Sequence, residues 1–323
     1  MTFFSFCRLT VLVTLATFAI VVIDRASPSS LIPQAVAQDE KKEQRETRRT
    51  PALRNKVYER LAEAQVLAEE KNYAGAKEIL DDMISEEGKR ALNSYELANV
   101  YNLQAFLSYS REDYQGSLRY YELVISQPDI PLAMEINTRF TIAQLYFVQE
   151  KWQQGIDALL VWFDLNEKPN AGAYVLLAQG YYQVKDYNSA LQNVETAISM
   201  QEGEGKLPKE QWYNLARFLY FDKEDFDSAL EVLNTLIIYY PKKQYWVQAS
   251  HLYGEKKDET RQLALMEAAY EQGFLDRSSE LVTMSYLYLN AEAPYYAGSV
   301  IQKGLDEELV EEKSKNYELA GSA

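Results

Sequence analysis

The stretch AYVLLAQGYYQVKDYNSALQNVETAI, residues 173–198, decides the predicted fold. Its first half carries large, apolar and small residues at helical spacing: Tyr174, Leu177, Ala178 and Tyr181. A second small residue, Ala190, follows 12 positions after Ala178. Offsets of three and four residues place the first set on one helical face, and small residues allow two helices to approach closely. The stretch therefore predicts two antiparallel helices joined by a short turn.

The same pattern recurs along the chain with a nearly constant step. The six quartets are Tyr101/Gln104/Ala105/Ser108, Arg139/Ile142/Ala143/Tyr146, Tyr174/Leu177/Ala178/Tyr181, Trp212/Leu215/Ala216/Leu219, Trp246/Ala249/Ser250/Tyr253 and Leu281/Met284/Ser285/Tyr288. Their small residues are 38, 35, 38, 34 and 35 positions apart, which brackets the period of about 34 residues of the tetratricopeptide repeat. One helix pair cannot cover its own apolar face, so successive pairs are expected to stack. The sequence predicts an all-α fold, an α-solenoid of stacked antiparallel helix pairs that forms a tetratricopeptide-repeat superhelix with a groove.

Residues 1–37 have the pattern of a secretory signal peptide. Arg8 precedes an apolar run over residues 9–23, and residues 35–37 match an A-x-A cleavage site. The run is shorter than the roughly 20 residues needed to span a bilayer. We therefore predict cleavage after Ala37 and a periplasmic location, with no direct membrane insertion of the mature chain. The alternative is an inner-membrane anchor formed by uncleaved residues 9–23.

The rest of the chain divides by composition. Residues 38–49 are charged and nearly devoid of apolar side chains, which predicts a flexible linker because such a segment cannot repay the entropy of ordering. Residues 50–312 hold the repeats and are predicted to form a superhelix of about seven helical hairpins. Residues 313–323 resemble the opening of another first helix, which indicates the start of a further, truncated repeat.

Composition excludes several classes of function. The 323 residues include 33 Lys and Arg against 48 Asp and Glu, a net charge of −15. Nucleic-acid binders need a basic surface, so we expect no nucleic-acid partner. The chain has one histidine, His251, and one cysteine, Cys7, too few for a multi-histidine metal site or for thiol chemistry in the mature chain. We predict no catalytic residue, no metal and no cofactor, so the protein is not expected to be an enzyme.

Side chains near each small residue of a first helix are expected to face the groove. They lie one and four positions after the small residue, or three before it. The 12 candidates are Asn102, Phe106, Tyr109, Phe140, Gln144, Phe147, Gln179, Tyr182, Tyr213, Arg217, Tyr220 and His251. Aromatic rings and amides suit an extended or helical peptide, and the alternative is that these rings pack on the neighbouring hairpin. Arg217 is the only cation of the set, which disfavours a clamp for a peptide's terminal carboxylate.

Several segments resemble one family, the periplasmic tetratricopeptide-repeat proteins of gammaproteobacteria that are named as components of the TonB system. They are TPALRNKVYERLAEAQ (50–65), LNSYELANVYN (92–102), QPDIPL (127–132), AQLYFVQE (143–150), PKKQYWVQASHLYGE (241–255) and LYLNAEAPYYAG (287–298). The resemblance covers residues 50–320 and transfers no catalytic residue. It implies a non-enzymatic periplasmic adaptor that binds a protein partner and assists a TonB, ExbB and ExbD type complex in powering outer-membrane transport. The alternative is a structural scaffold in outer-membrane or cell-wall assembly.

Overall fold

The computed structural model describes residues 51–321, and within this range it contains 15 α-helices, one 3-10 turn and no strand. The described chain divides into two units, residues 51–167 and residues 168–321. None of the helices in this range is both long and apolar enough to cross a membrane. The predicted signal peptide (1–37) and linker (38–49) lie outside the described residues.

Unit 1 consists of three helix pairs. They are α1 (Asn55–Glu69) with α2 (Tyr73–Ser85), α3 (Ser94–Ser110) with α4 (Tyr114–Ser126), and α5 (Leu132–Val148) with α6 (Trp152–Leu165). Within the unit, α2 packs on α3 and α4 packs on α5. One apolar core joins α1, α2 and α3, and another joins α3, α4 and α5. The first two pairs therefore each complete their core with the first helix of the next pair, as expected for stacked repeats.

Unit 2 consists of four helix pairs and one short helix. They are α7 (Ala171–Gln183) with α8 (Tyr187–Gly203), α9 (Glu210–Asp222) with α10 (Phe226–Tyr239), α11 (Lys243–Glu255) with α12 (Glu259–Glu271), α13 (Ser278–Asn290) with α14 (Pro294–Asp306), and α15 (Ser314–Gly321). Here α8 packs on α9, α10 on α11, α12 on α13 and α14 on α15. Within each unit, the predicted all-α solenoid of stacked antiparallel helix pairs is confirmed.

The turn inside each pair has the same construction. One residue of each turn has a left-handed backbone: Lys71, Glu112, Glu150, Lys185, Glu224, Lys257 and Glu292, with φ between 55° and 65°. In five turns the next residue caps the second helix, because its side-chain oxygen accepts from a backbone N–H three positions later; these are Asn72, Asp113, Asp186, Asp225 and Asp258. Such caps satisfy N–H groups that the helix itself cannot, which fixes where each second helix begins.

The first helix begins later than Thr50 and Pro51 predict. A proline after a threonine is a common helix start, but α1 begins at Asn55 and Arg54 has an extended backbone with ψ of 140°. Glu96 of α3 explains the difference, since its carboxylate accepts hydrogen bonds from both the backbone N–H and the guanidinium of Arg54. A contact 42 positions away in sequence thus holds the chain extended before α1.

Replacing Ala178 with leucine is expected to lower the free energy of unfolding by about 1 to 3 kcal/mol, because overpacking a helix contact strains it. Ala178 is fully buried in a core that also contains Ala190 of α8 and Trp212 of α9. Gln179→Leu is the control, since the neighbouring side chain is exposed. Urea denaturation of both variants checks the prediction, and equal stability of the two would contradict it.

Candidate functional site

In unit 2 the first helices α7, α9 and α11 are joined by direct side-chain contacts. Tyr182 of α7 lies against Phe218 of α9, with ring centroids 5.4 Å apart. Arg217 of α9 lies over the ring of Tyr245 of α11, 5.5 Å from its centroid. These contacts place one row of side chains across three consecutive first helices. We call this row the first-helix face and define it by Gln179, Tyr182, Asn214, Arg217, Phe218, Gln248 and His251.

An aromatic cluster forms one part of the first-helix face. Tyr182 stacks on Tyr187 of α8 at 5.7 Å, and Phe218 meets both rings edge-on, at 5.4 Å and 6.4 Å. Phe218 nevertheless keeps 41% of its surface exposed. An aromatic ring that is held in place but open to solvent offers apolar contact area at a small entropic cost.

A hydrogen-bonded network lies beside this cluster, between α9 and α11. The Tyr245 hydroxyl donates to Glu210 and accepts from Asn214 Nδ2 at 2.9 Å. Lys242 Nζ donates to both carboxylate oxygens of Glu210 at 2.7 Å. Burial alone would raise the pKa of Glu210, but the bonds from Lys242 and Tyr245 outweigh it and lower the pKa. The carboxylate of Glu210 is therefore already paired with Lys242 and Tyr245.

Several polar atoms next to this network have no partner. Asn214 Oδ1, Gln248 Oε1 and Arg217 Nε are buried, and none of them has a hydrogen-bond partner among the described residues. Burial lowers the pKa of the half-buried Arg217 guanidinium, and Tyr245 acts weakly in the opposite direction. Since buried polar atoms are nearly always paired in folded proteins, this seam between α9 and α11 has unused capacity to bind a polar group.

Two tyrosines of α9 have a different role, because their hydroxyls are tied to glutamates of α8. Tyr213 donates to Glu202 at 2.6 Å, and Tyr220 donates to Glu195. Burial and the neighbouring carboxylate raise the pKa of both phenols. These hydrogen bonds connect one helix pair to the next, so both tyrosines contribute to the stacking of repeats.

Several solved structures of other proteins are similar in fold to this chain. A chain in the structure of Naa15/Naa10 bound to HypK-THB has a TM-score of 0.51 at 12% identity, with 82% of this chain and 39% of that chain covered. A tetratricopeptide repeat protein from Parabacteroides merdae ATCC 43184 has a TM-score of 0.45 at 16% identity, covering 82% and 97%. YrrB, described as a TPR protein with an unusual peptide-binding site, has a TM-score of 0.43 at 14% identity, covering 62% and 92%. The described chain has an α-solenoid fold of stacked helix pairs.

At these identities the likeness concerns the fold alone. No protein-family model and no curated protein matches the sequence. Any function of this α-solenoid must therefore be argued from its own side chains.

Most predicted groove residues of unit 2 lie on or near the first-helix face. Gln179 and His251 are exposed, while Tyr182, Arg217 and Tyr220 are half-buried. Tyr213 is the exception, because only 4% of it is exposed. The prediction that Tyr213 lines an open surface is wrong, since its ring packs among residues of α10 and α11 and its hydroxyl reaches Glu202. Peptide binding by the other residues stays a prediction.

The predicted groove residues of unit 1 are more closely packed. Phe106 is exposed, and Asn102, Tyr109, Phe140 and Gln144 are half-buried. The ring of Phe140 lies 4.8 Å from that of Trp162, and the ring of Tyr109 lies 5.8 Å from that of Tyr114.

Phe147 does not line an open surface as predicted, because only 6% of it is exposed. Its ring covers Gly155 of α6, where an added Cβ would lie 2.8 Å from the ring. The small residue of the second helix thus makes room for a ring that sequence reasoning assigned to the groove.

Sequence reasoning missed Phe218, Asn214 and Gln248. Asn214 and Gln248 occupy the same repeat position, two residues before the small residues Ala216 and Ser250. This recurrence of an amide is a signal that the sequence offered. Phe218 carries no such signal, because its exposure depends on how Tyr182 and Tyr187 pack. Within residues 51–321 no three acidic, histidine or cysteine side chains converge as metal ligands.

Proposed function

We propose that the protein is a non-enzymatic scaffold that binds a protein partner on the first-helix face of unit 2. The observation that supports this most directly is the combination of an exposed ring, Phe218, with unpaired polar atoms of Asn214, Arg217 and Gln248 on adjacent helices. An extended peptide supplies both apolar side chains for the ring and backbone N–H and C=O groups for the polar atoms.

The partner that we propose is a component of a TonB, ExbB and ExbD type complex. This part rests on the family resemblance of residues 50–320 and on the signal-peptide pattern of residues 1–37, which also motivates the proposed periplasmic location. Net charge supports a protein partner over nucleic acid, because a chain of net charge −15 lacks the basic surface that phosphates require.

Photo-crosslinking in the cell tests the proposal. A photoreactive phenylalanine analogue is placed at Phe218 in one variant and at Tyr295 of α14, which is 76% exposed, in the other. We expect position 218 to crosslink one dominant protein, identified by mass spectrometry as TonB, ExbB or ExbD, and position 295 to give no such product. Equal crosslinking at both positions would favour the scaffold alternative with dispersed binding. No product at position 218 would contradict the use of the first-helix face.

A further inference from the structure

Arg217 differs from the other arginines of similar burial. Among the described residues, three arginines are half-buried: Arg60, Arg139 and Arg217. Arg60 pairs with Asp82 and Glu86, and Arg139 pairs with Glu135. Within residues 51–321, Arg217 makes neither an ion pair nor a hydrogen bond. The one electrostatic contact of its guanidinium in this range is with the ring of Tyr245. A partly desolvated charge without an anion is unfavourable, so an incoming anion gains more there than at an exposed arginine.

Two amides indicate which group could pair with Arg217: Asn214, one turn earlier on α9, and Gln248, one turn after Tyr245 on α11. Tyr245 donates its proton to Glu210 and accepts from Asn214 Nδ2, which leaves Asn214 Oδ1 as a free acceptor. Gln248 Oε1 is a second buried acceptor on α11. A chloride or sulfate ion would satisfy Arg217 but would offer no donor to these two oxygens. A peptide segment with an acidic side chain offers both a carboxylate and backbone N–H donors.

We infer that Arg217, with Asn214 and Gln248, forms a subsite for one acidic side chain of an extended partner segment. The carboxylate pairs with the guanidinium. The half-buried side chains of Asn214 and Gln248 turn outward, so that their amide oxygens, buried without the segment, accept from its backbone N–H groups. Because the protein as a whole carries a net charge of −15, a long acidic run would be repelled. The partner segment is therefore one with a single Asp or Glu at this point and with apolar residues beside it, facing Phe218. This deepens the proposed function and rests on the first-helix face being a peptide-binding surface.

Selection from a library of random 12-residue peptides on phage tests the subsite. The baits are the immobilised full chain, its Arg217→Gln variant and an Arg261→Gln control. Arg261 is a suitable control because it also lies over a tyrosine ring, Tyr253 at 5.6 Å, but is paired with Asp258. We expect Asp or Glu to be enriched at one position with the unchanged chain and with the Arg261 variant, and this enrichment to disappear with the Arg217 variant.

Individual peptides then give the quantitative readout. Exchanging the selected acidic residue for its amide should weaken binding to the unchanged chain about tenfold. This factor corresponds to the free energy of one hydrogen bond to a charged group. The same exchange should have no effect on binding to the Arg217 variant. Amidating the C-terminus of the peptide should not matter, because the carboxylate comes from a side chain. If amidation removes binding and the side-chain exchange does not, the subsite takes a chain terminus and the inference is wrong.

The melting temperature separates binding from a structural role. Arg217→Gln removes an unpaired, partly buried charge, so its melting temperature should stay the same or rise. A fall in melting temperature with an unchanged peptide preference would mean that Arg217 only supports Tyr245, and it would overturn the inference. Peptides selected without any acidic preference would refute the subsite but leave the proposed function standing. If the unchanged chain selects no peptide at all, both fail.

Discussion

Replacing Glu96 with alanine is expected to lower the free energy of unfolding of unit 1 by about 3 kcal/mol. The side chain is fully buried, and its carboxylate accepts from Arg54 N, Nε and Nη2 at 3.2, 2.8 and 2.6 Å and from Asn93 N at 3.0 Å. Breaking a buried ion pair costs about 3 to 5 kcal/mol. Because the side chain of Arg54 is partly exposed, its charge is not stranded, and we expect a loss near the lower end, about 3 kcal/mol.

The Glu96 prediction has a matched control and a pH signature. Glu204→Ala removes an exposed pair with Lys206 and should cost less than about 1 kcal/mol. Burial alone would raise the pKa of Glu96, but the bonds from Arg54 and Asn93 outweigh it and lower the pKa. The contribution of Glu96 to stability is therefore present above the pKa of an unfolded glutamate and is lost as the pH falls through the lowered value.

Urea denaturation, with hydrogen exchange of α1 and α3 as the local readout, measures the effect of Glu96→Ala. A loss no larger than that of Glu204→Ala would show that the buried pair contributes little. Equal acid sensitivity of the unchanged chain and the Glu96 variant would show that the carboxylate is not held in its charged form by Arg54.

The sequence alone was sufficient to predict the register of the repeats, that is, which residues lie where two helices contact each other. The small residues that define the period, Ala105, Ala143, Ala178, Ala216, Ser250 and Ser285, are all at most 1% exposed. Their spacing alone locates the helix contacts, because a close approach of two helices requires a small side chain at that point. The turn caps could also have been predicted, since Asp or Asn precedes an aromatic residue at Asn72, Asp113, Asp186 and Asp225.

The sequence was insufficient where the outcome depends on packing against another helix. Phe147 and Tyr213 occupy positions that face outward from their own helix, but α6 and α8 supply Gly155 and Glu202 to receive them. The pairing of Arg54 with Glu96 spans 42 positions, too far for any local pattern to indicate. The lack of a partner at Arg217 is likewise a property of the packed structure, because the chain has 48 acidic residues that could have paired with it.

The second large effect is expected at alkaline pH, through Tyr121 of α4. Its side chain is only 9% exposed and packs in a core with Ala105, Leu118 and Ile142. Burial raises the pKa of this phenol to about 12, with a smaller contribution from Tyr109. An unfolded tyrosine has a pKa of about 10. Folding therefore favours the neutral phenol of Tyr121.

The sign of the pH dependence follows from proton binding. Below about pH 10 both states keep the proton and Tyr121 contributes its full stabilisation. Between about pH 10 and 12 the unfolded chain loses the proton while the folded chain retains it, so stability falls as the pH rises. A difference of about 2 pKa units corresponds to a loss of about 3 kcal/mol in total, and of about 1.4 kcal/mol at pH 11.

Comparison with Tyr121→Phe isolates this loss, because the variant keeps the buried ring and removes the ionising hydroxyl. Urea denaturation at about pH 8, 10 and 11 should show the variant gaining about 1.4 kcal/mol relative to the unchanged chain between about pH 8 and pH 11, most of it in the last step. Tyr58→Phe, at an exposed position of α1, should follow the unchanged chain throughout. The other tyrosines are shared by the Tyr121→Phe variant and the unchanged chain, so their effects cancel in the comparison. Parallel curves for Tyr121→Phe and the unchanged chain would mean that the hydroxyl of Tyr121 reaches solvent, and that the packing of α4 between α3 and α5 is looser than the structure shows.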